Sequence, residues 1–166
     1  MTETPMEDAH DIELINNYLE ARYRALAAHE AGHTVVAHAL GAQVLFVEID
    51  LVTRDGASRS STFDDQTKNI AVCVAGCRAE HLLGTYGLRR SKIGDYRLLR
   101  KLLSNLPDRE RRPARVEGYR LADETLKTNV EIVRRLADEL MRQRWSEGVV
   151  VRIDGDQLSA LLTNTH

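Results

Sequence analysis

The run of residues 25–40 constrains the fold more than any other part of the chain. It is mostly apolar, is compatible with a helix, and is followed by Gly41, a residue type that commonly ends helices. The sequence HEAGH, residues 29–33, lies inside this run. Residues four apart stand one above the other on a helix, so the two histidine rings face the same way. The sequence therefore predicts a buried helix with two imidazoles on one face, and Gly32 permits another helix to pack closely there.

This spacing has a specific chemical use. Two imidazoles one helical turn apart can bind a single zinc ion, and the pattern His-Glu-x-x-His is typical of zinc peptidases. Glu30 is then carried beside the metal, where a carboxylate can act as general base toward a metal-bound water. A catalytic zinc site has about three protein ligands and one open position. His29 and His33 are therefore predicted metal ligands, Glu30 is the predicted catalytic base, and a third ligand is still needed.

Composition limits the alternatives. The chain has 166 residues, of which 43% are hydrophobic, and this is enough for one domain with its own core. A net charge of −2 gives no electrostatic reason to expect a nucleic-acid partner. No stretch approaches the roughly 18 uninterrupted apolar residues of a membrane span, and the N-terminus is acidic, unlike a signal peptide. We expect a cytoplasmic protein without a membrane span.

The pattern along the chain predicts a mainly α (α+β) fold, a single helical domain with a small β element. Residues 1–21 form an acidic N-terminal segment that can be helical from Asp11, and this helix either runs into the HEAGH helix or breaks near Arg22. The later predicted elements are a strand at 44–52, a loop at 54–62, a helix from Asp64 or Asp65 to Leu83, a basic loop at 87–94, a helix from Asp95 to Pro107, a mobile loop at 108–115, a helix at 117–144, a strand at 149–153 and a last helical turn or two at 156–162.

Acidic residues supply the main candidates for the third ligand. The residues alone leave open Asp64, Asp65, Glu80, Asp95 and Glu124. Among the other histidines, His38 lies nearly half a turn away from His29 around the helix, so it cannot share a ligand face with it. His81 lies in another helix, and such a histidine is more often a surface residue or one whose hydrogen bonds are already satisfied. The two cysteines, Cys73 and Cys77, are best explained as reduced core thiols.

The order of the motifs resembles the peptidase domain of the FtsH family of ATP-dependent zinc metalloproteases. HEAGH is followed by a strand, by AGCRAE at residues 75–80, and by Gly94 and Asp95 near a helix start. Toward the C-terminus, NVEIVRRLADEL at 129–140 is similar to the closing helix of that family. The resemblance covers roughly residues 22–162, and it implies that residues 22–166 form an FtsH-like zinc peptidase domain.

The resemblance also implies a ligand set and a reaction. In that family the metal is held by the two motif histidines and by an aspartate of a later helix, which correspond here to His29, His33 and Asp95. Glu80 is the runner-up as ligand, and a role as hydrogen-bond acceptor for one imidazole suits it better. The implied activity is a zinc metallopeptidase, a hydrolase that cleaves peptide bonds with Glu30 as base.

Substrate supply is the next expectation. The chain contains no GxxxxGK[ST] motif, so cleavage here is expected to be independent of ATP. The expected substrate is an unfolded protein or a peptide, with a separate ATPase or delivery partner as a further possibility. The predicted strand at 44–51 either offers an edge to which a substrate adds as an extra strand or packs as an ordinary part of the sheet. Members of the family form hexameric rings, so a homo-oligomer is a further expectation.

Two other functions are compatible with the sequence. The chain is alternatively a zinc-stabilised interaction or regulatory domain that derives from such a protease and no longer cleaves. Glu30 argues against this, because a structural zinc site needs the histidines but not the base, and such sites tend to be closed by four protein ligands. A metal-free helical scaffold requires HEAGH to be accidental, and a measurement of bound metal separates it from the other two.

Overall fold

A computed structural model describes residues 6–87, 89–143 and 150–163. These residues form mainly helices with one three-stranded antiparallel sheet, which confirms the predicted mainly α (α+β) class. The elements are α1 (Met6–Ala39), β1 (Val44–Asp50), β2 (Asp55–Ser60), α2 (Gln66–Leu82), α3 (Arg89–Ser104), α4 (Asp108–Thr128), α5 (Val130–Gln143), β3 (Val150–Asp154) and α6 (Gly155–Thr163). In the described part of the chain, no helix is long and apolar enough to cross a membrane.

The HEAGH sequence lies in the buried half of α1, which is one continuous helix with no break near Arg22. Its side chains are largely buried from Ala25 onward, and those of residues 11–18 are exposed. The helix ends as predicted, because Gly41 adopts a φ of +96°. The Gly41 N–H donates to the carbonyl of His38 and the N–H of Ala42 donates to that of Ala37, both at 2.9 Å, so these late carbonyls are satisfied.

Helix α2 crosses α1 at very short range. A Cβ atom added to Gly32 would lie 2.5 Å from the Cβ of Ala79 and 2.7 Å from the carbonyl oxygen of Ala75. Only glycine fits at this crossing, as the sequence suggested. The crossing matters for the site because it brings the backbone of α2 against the face of α1 that carries the two histidines.

The sheet has the strand order β2-β1-β3, which corrects one expectation and decides between two alternatives. Residues 54–62 were predicted as a loop, but 55–60 pair antiparallel with β1, for example Ala57 opposite Glu48. Their sequence, DGASRS, lacks apolar alternation because this is an edge strand with little burial. A free edge on the strand at 44–51 is excluded, since β1 is paired on both sides. Within the described residues, β2 instead has one edge without a neighbouring strand.

The third helix starts earlier than predicted. Residues 89–94 were expected to end a basic loop, with Asp95 opening the helix, but α3 begins at Arg89. Asp95 therefore lies nearly two turns inside α3 and does not cap it. Gly94 caused the error, because glycine inside a helix costs about 1 kcal/mol relative to alanine and is more often a boundary.

Two predictions for the second half of the chain are also wrong. The predicted mobile loop at 108–115 is the first part of α4, where Asp108 and Glu110 favour a helix N-terminus. The long helix predicted at 117–144 is divided at Asn129, whose side-chain amide donates to the carbonyl of Thr125 at 2.8 Å and ends α4. The strand predicted at 149–153 is found as β3; positions 144 and 149 lie outside the described residues.

Candidate metal centre

The centre starts from two imidazoles one turn apart on α1. The Nε2 atoms of His29 and His33 lie 3.0 Å from each other, and the two rings meet edge to face. His29 is only 1% exposed. Two histidines on a helix can keep this arrangement only when both rings are held in place, because their side chains otherwise sample several rotamers.

Asp95 of α3 completes a triangle with these two atoms. Its Oδ2 atom lies 3.0 Å from Nε2 of His29 and 3.3 Å from Nε2 of His33. A tetrahedral ion bound at about 2.0–2.1 Å separates its ligand atoms by about 3.3–3.4 Å. The observed triangle is slightly tighter than this, and it groups the three residues as potential metal ligands. The predicted set of His29, His33 and Asp95 is thus brought together, although Asp95 arrives from inside a helix.

The orientation of each ring is fixed from behind. Nδ1 of His29 donates a hydrogen bond to Oε1 of Glu80 at 2.7 Å, and Nδ1 of His33 donates to the carbonyl of Val72 at 2.7 Å. A carbonyl oxygen can only accept, and a neutral imidazole carries one proton, so Nε2 of each neutral ring presents a lone pair. Metal-binding histidines commonly have such partners on the other nitrogen.

When both rings are neutral, three electron-pair donors therefore converge on one point. Oδ2 of Asp95 is buried and has no hydrogen-bond partner among the described residues, although both Nε2 atoms lie within ion-pair distance. Three lone pairs this close repel one another unless a cation lies between them, and an unsatisfied buried carboxylate oxygen is costly. The donor set of two imidazoles and one carboxylate suits a divalent transition metal. The residues therefore fit a metal ion.

The pKa values of His29 and Asp95 also show that this cluster stabilises a positive charge. Burial lowers the pKa of His29, but the neighbouring carboxylates of Asp95 and Glu80 outweigh it and raise that pKa to about 9. Burial likewise opposes ionisation of Asp95, yet the two imidazoles hold the pKa of its carboxyl far below the usual range. Without a metal ion, the cluster thus binds a proton tightly, and the proton and the metal compete for the same electron pairs.

Gly76 of α2 has no side chain, and this leaves open the space beside the two Nε2 atoms. A Cβ atom at this position would lie 2.4 Å from Nε2 of His33 and 2.6 Å from Nε2 of His29. Any side chain here would occupy the metal end of both rings. The AGCRAE segment thus has two physical roles, since Gly76 opens the centre and Glu80 orients His29. The role of Glu80 as an acceptor for one imidazole was predicted, whereas the role of Gly76 was not, because it depends on how closely α2 approaches α1.

Glu80 is held in place as a hydrogen-bond acceptor. The residue is almost fully buried, at 1% exposure. Its carboxylate accepts from Nδ1 of His29 and from the N–H of Gly87 at 2.6 Å, and it pairs with Nζ of Lys92 at 3.1 Å. Burial opposes ionisation of Glu80, but these donors lower its pKa. The contribution of Gly87 and Lys92 was not predicted, because it depends on tertiary contacts with α2 that the local sequence does not show.

A second grouping of potential ligands reuses the same histidine. It consists of His29, Cys77 and Glu80. Nδ1 of His29 is already bonded to Glu80, and burial raises the pKa of the Cys77 thiol to about 11, which keeps the sulfur protonated. Both cysteines are free, and the thiol of Cys73 donates to the carbonyl of Asp95 at 3.2 Å, which anchors α3 beside α2.

Glu30 lies in the same cleft as the three potential ligands. Its side chain is 5% exposed, and burial raises the pKa of its carboxyl. It packs against β2, since a Cβ added to Gly56 would lie 2.7 Å from Oε1 of Glu30. The cleft has a volume of about 680 Å³, and its lining includes all of β2 together with Leu98 and Leu102 of α3. The Glu30 carboxylate, a triad of potential ligands and a strand thus line one cleft.

The other candidate ligands lie elsewhere. Asp65 caps α2 by accepting from the N–H of Thr67 at 2.8 Å, as predicted for one of two aspartates. His81 is exposed on α2. Three further candidates likewise fall outside the metal-binding groups found among the described residues: Asp64, Glu124 and His38.

Comparison with known proteins adds no identification. No family model matches the chain, and the search of curated proteins found no match. The functional conclusion therefore depends on the geometry of the site.

Proposed function

We propose that this protein is a zinc-dependent metalloendopeptidase similar to the peptidase domain of the FtsH family. The observation that carries the proposal is the convergence of the electron pairs of His29, His33 and Asp95 on one point, in a cleft that also contains Glu30. Two imidazoles and one carboxylate leave the fourth position of a tetrahedral zinc ion open, as catalysis requires.

The chemistry divides between the metal and Glu30. His29, His33 and Asp95 would hold a zinc ion, which would polarise the scissile carbonyl and lower the pKa of a water molecule to about 7. Glu30 takes a proton from the attacking water as the new C–O bond forms, and it returns this proton to the amine as the C–N bond breaks. Burial raises the pKa of Glu30, which makes its carboxylate a stronger base. Glu80 and the carbonyl of Val72 keep both imidazoles oriented toward the metal.

We place the substrate along the edge of β2 that has no neighbouring strand among the described residues. Residues 55–60 line the cleft along the whole strand, and Gly56 lies against Glu30. An extended peptide that adds to this edge as a fourth strand would pass the reacting groups, and backbone hydrogen bonds would hold it with little dependence on sequence. Unfolded proteins and peptides can adopt this conformation, so they are the proposed substrates. A separate ATPase would be needed to unfold a folded one.

The decisive experiment replaces the base and keeps the ligands. Glu30→Gln should retain zinc and lose cleavage of casein, because the amide has the same shape but cannot accept the proton. General-base catalysis typically contributes about 10²–10⁴-fold, which sets the expected loss of turnover. Glu13→Gln, the same change on an exposed part of α1, is the matched control and should cleave normally. Unchanged turnover of Glu30→Gln would remove Glu30 from the mechanism.

The same measurements on the parent and on Glu30→Gln also test the alternative of a non-proteolytic zinc-stabilised domain. Such a domain would bind zinc in both the parent and the variant and cleave in neither. The position of Glu30 favours the peptidase, since a metal site with a purely structural role has no use for a second buried carboxylate in the same cleft.

A further inference from the structure

The first half of α1 carries apolar side chains that the rest of the described chain does not cover. Ile12, Leu14, Ile15 and Tyr18 are between 53% and 58% exposed, while burial of α1 begins only near Leu19. Single exposed apolar residues are ordinary, but four within seven positions of one helix make a patch. Large apolar side chains gathered on one exposed helix usually mark a contact surface.

The spacing of this patch is that of a helix-pairing seam. Asp11, Ile15, Tyr18 and Arg22 are separated by four, three and four residues, as in the a and d positions of a heptad. We call these four residues the α1 seam. Its two central positions are apolar and its two ends carry opposite charges. The remaining apolar residues, Ile12, Leu14 and Leu19, lie beside the seam at positions of the e and g type.

We propose that the α1 seam pairs with the same seam of a second copy of the chain, in antiparallel orientation, to form a symmetric dimer. With the two-fold axis between positions 15 and 18, Ile15 meets Tyr18 of the second copy. Asp11 then meets Arg22 of the second copy at both ends of the seam. A parallel pair would instead bring Asp11 to Asp11 and Arg22 to Arg22, so the charges select the antiparallel form.

The local contacts leave the basic end available. The guanidinium of Arg22 lies over the ring of Tyr18, 4.1 Å from its centroid. Stacking on a ring occupies the face of the guanidinium and leaves its N–H edge for a carboxylate. The neighbouring Arg24 forms an ion pair with Glu20 at 3.1 Å and is not part of the seam.

The α1 seam is short, which sets the expected strength. From Asp11 to Arg22 it extends about 17 Å, or roughly three helical turns. Such a pair buries less surface than the roughly 1,200 Å² of a standard stable interface, so the dimer should dissociate near micromolar or higher concentration. This proposal does not depend on the peptidase function, because the seam ends before the predicted metal ligands begin at His29.

The first test measures self-association of the full chain by sedimentation velocity from about 1 µM to 1 mM, the range in which a small interface exchanges. The parent should form a dimer, and Ile15→Lys should raise the dissociation constant at least about tenfold, because it places two charges at the apolar centre. Asn17→Lys adds the same charge at an exposed position that points away from the α1 seam, and it should leave dimerisation unchanged. Circular dichroism should show equal helix content in all three proteins.

The second test determines the orientation. Arg22→Asp should weaken the dimer, since it places a carboxylate at position 22 beside Asp11 of the second copy. The double change Asp11→Arg with Arg22→Asp should restore it. In a parallel dimer, position 22 meets itself, and the single change would only replace one like-charge contact with another.

Three results would overturn the proposal. The first is a parent that stays monomeric over the whole concentration range. The second is equal damage from Asn17→Lys and Ile15→Lys, which would place the interface outside the α1 seam. The third is a double change that fails to recover the dimer lost in Arg22→Asp.

Discussion

At the scale of single residues, the two carboxylates of the candidate metal centre differ in the atoms that they face. Asp95 points its Oδ2 atom at both Nε2 atoms, whereas Glu80 points at Nδ1 of His29 and is satisfied by three donors. The Asp95 carboxylate still needs a positive charge to balance it, whereas the Glu80 carboxylate already has one in the ammonium group of Lys92. Hydrogen bonding, and not residue type, thus distinguishes the proposed ligand Asp95 from the supporting acceptor Glu80.

This difference predicts unequal losses of zinc affinity. Glu80→Gln removes an orienting charge and should weaken zinc binding by about 10–100-fold, the usual effect of such partners. Asp95→Ala removes a ligand and should weaken it by more than that. Competition with a chromogenic chelator measures both affinities. If Asp95→Ala held zinc as tightly as the parent while Glu80→Gln did not, the third ligand would be Glu80.

Zinc affinity should also depend on pH in a defined direction. In the metal-free protein the pKa of His29 is raised from 6.5 to about 9, so between these values the folded protein carries a proton that the unfolded chain lacks. This proton's stabilisation of the metal-free fold is fully present below pH 6.5 and is lost as the pH rises through about 9. Zinc must displace it, so affinity should rise about tenfold per pH unit from roughly pH 6 to 8. A zinc affinity that does not change across this pH range would contradict the expectation that zinc displaces a proton from His29.

Sequence alone could identify part of this centre. His29, Glu30 and His33 are fixed by one helical turn, so their arrangement follows from local geometry. Asp95 could not be chosen over Glu80 from local pattern, because the choice depends on how α2 and α3 pack against α1. Only the family resemblance favoured Asp95, and the expectation that it opens a helix was wrong even so.

At the scale of secondary-structure elements, two glycines set how closely α2 and β2 approach α1. Gly76 lets α2 come within contact distance of both Nε2 atoms, and Gly56 lets β2 come within contact distance of the Glu30 carboxylate. The strand β2 escaped prediction because its residues are polar and its pairing with β1 is non-local. The helical start of α4 was missed because its charges resemble those of a solvated loop.

The two glycines predict different defects when each is replaced by alanine. Gly76→Ala should abolish zinc binding, because its methyl group would lie against the metal-binding nitrogens of both histidines. Gly56→Ala should retain zinc and lower kcat, because its methyl group displaces the carboxylate of the base. Gly94→Ala is the control, since nothing lies within 4 Å of its added Cβ. Measurements of zinc content and casein turnover should therefore distinguish the three variants: Gly76→Ala loses zinc, Gly56→Ala keeps zinc but turns over more slowly, and Gly94→Ala behaves like the parent. Loss of zinc in Gly56→Ala would show that β2 supports the ligands as well as the base.

At the scale of the whole molecule, the centre joins parts of the fold that are distant in sequence. His29 and His33 come from α1, Asp95 comes from α3, and Glu80 of α2 supports His29. An ion bound by all three ligands can exist only when α1 and α3 are docked on α2. Binding to the folded state alone stabilises that state by mass action, so zinc should act on the global unfolding equilibrium and not only on the local site.

The expected size of this effect can be stated for thermal unfolding. Zinc at a free concentration about one hundred times its dissociation constant should add about 2.7 kcal/mol to the free energy of unfolding. For a chain of this length, 1 kcal/mol corresponds to about 2–4 °C, so the unfolding midpoint should rise by about 5–10 °C. Glu30→Gln should show the same rise, because it keeps the ligands, and Asp95→Ala should show almost none. A rise of equal size in Asp95→Ala would mean that the stabilising ion is bound outside the triangle of His29, His33 and Asp95.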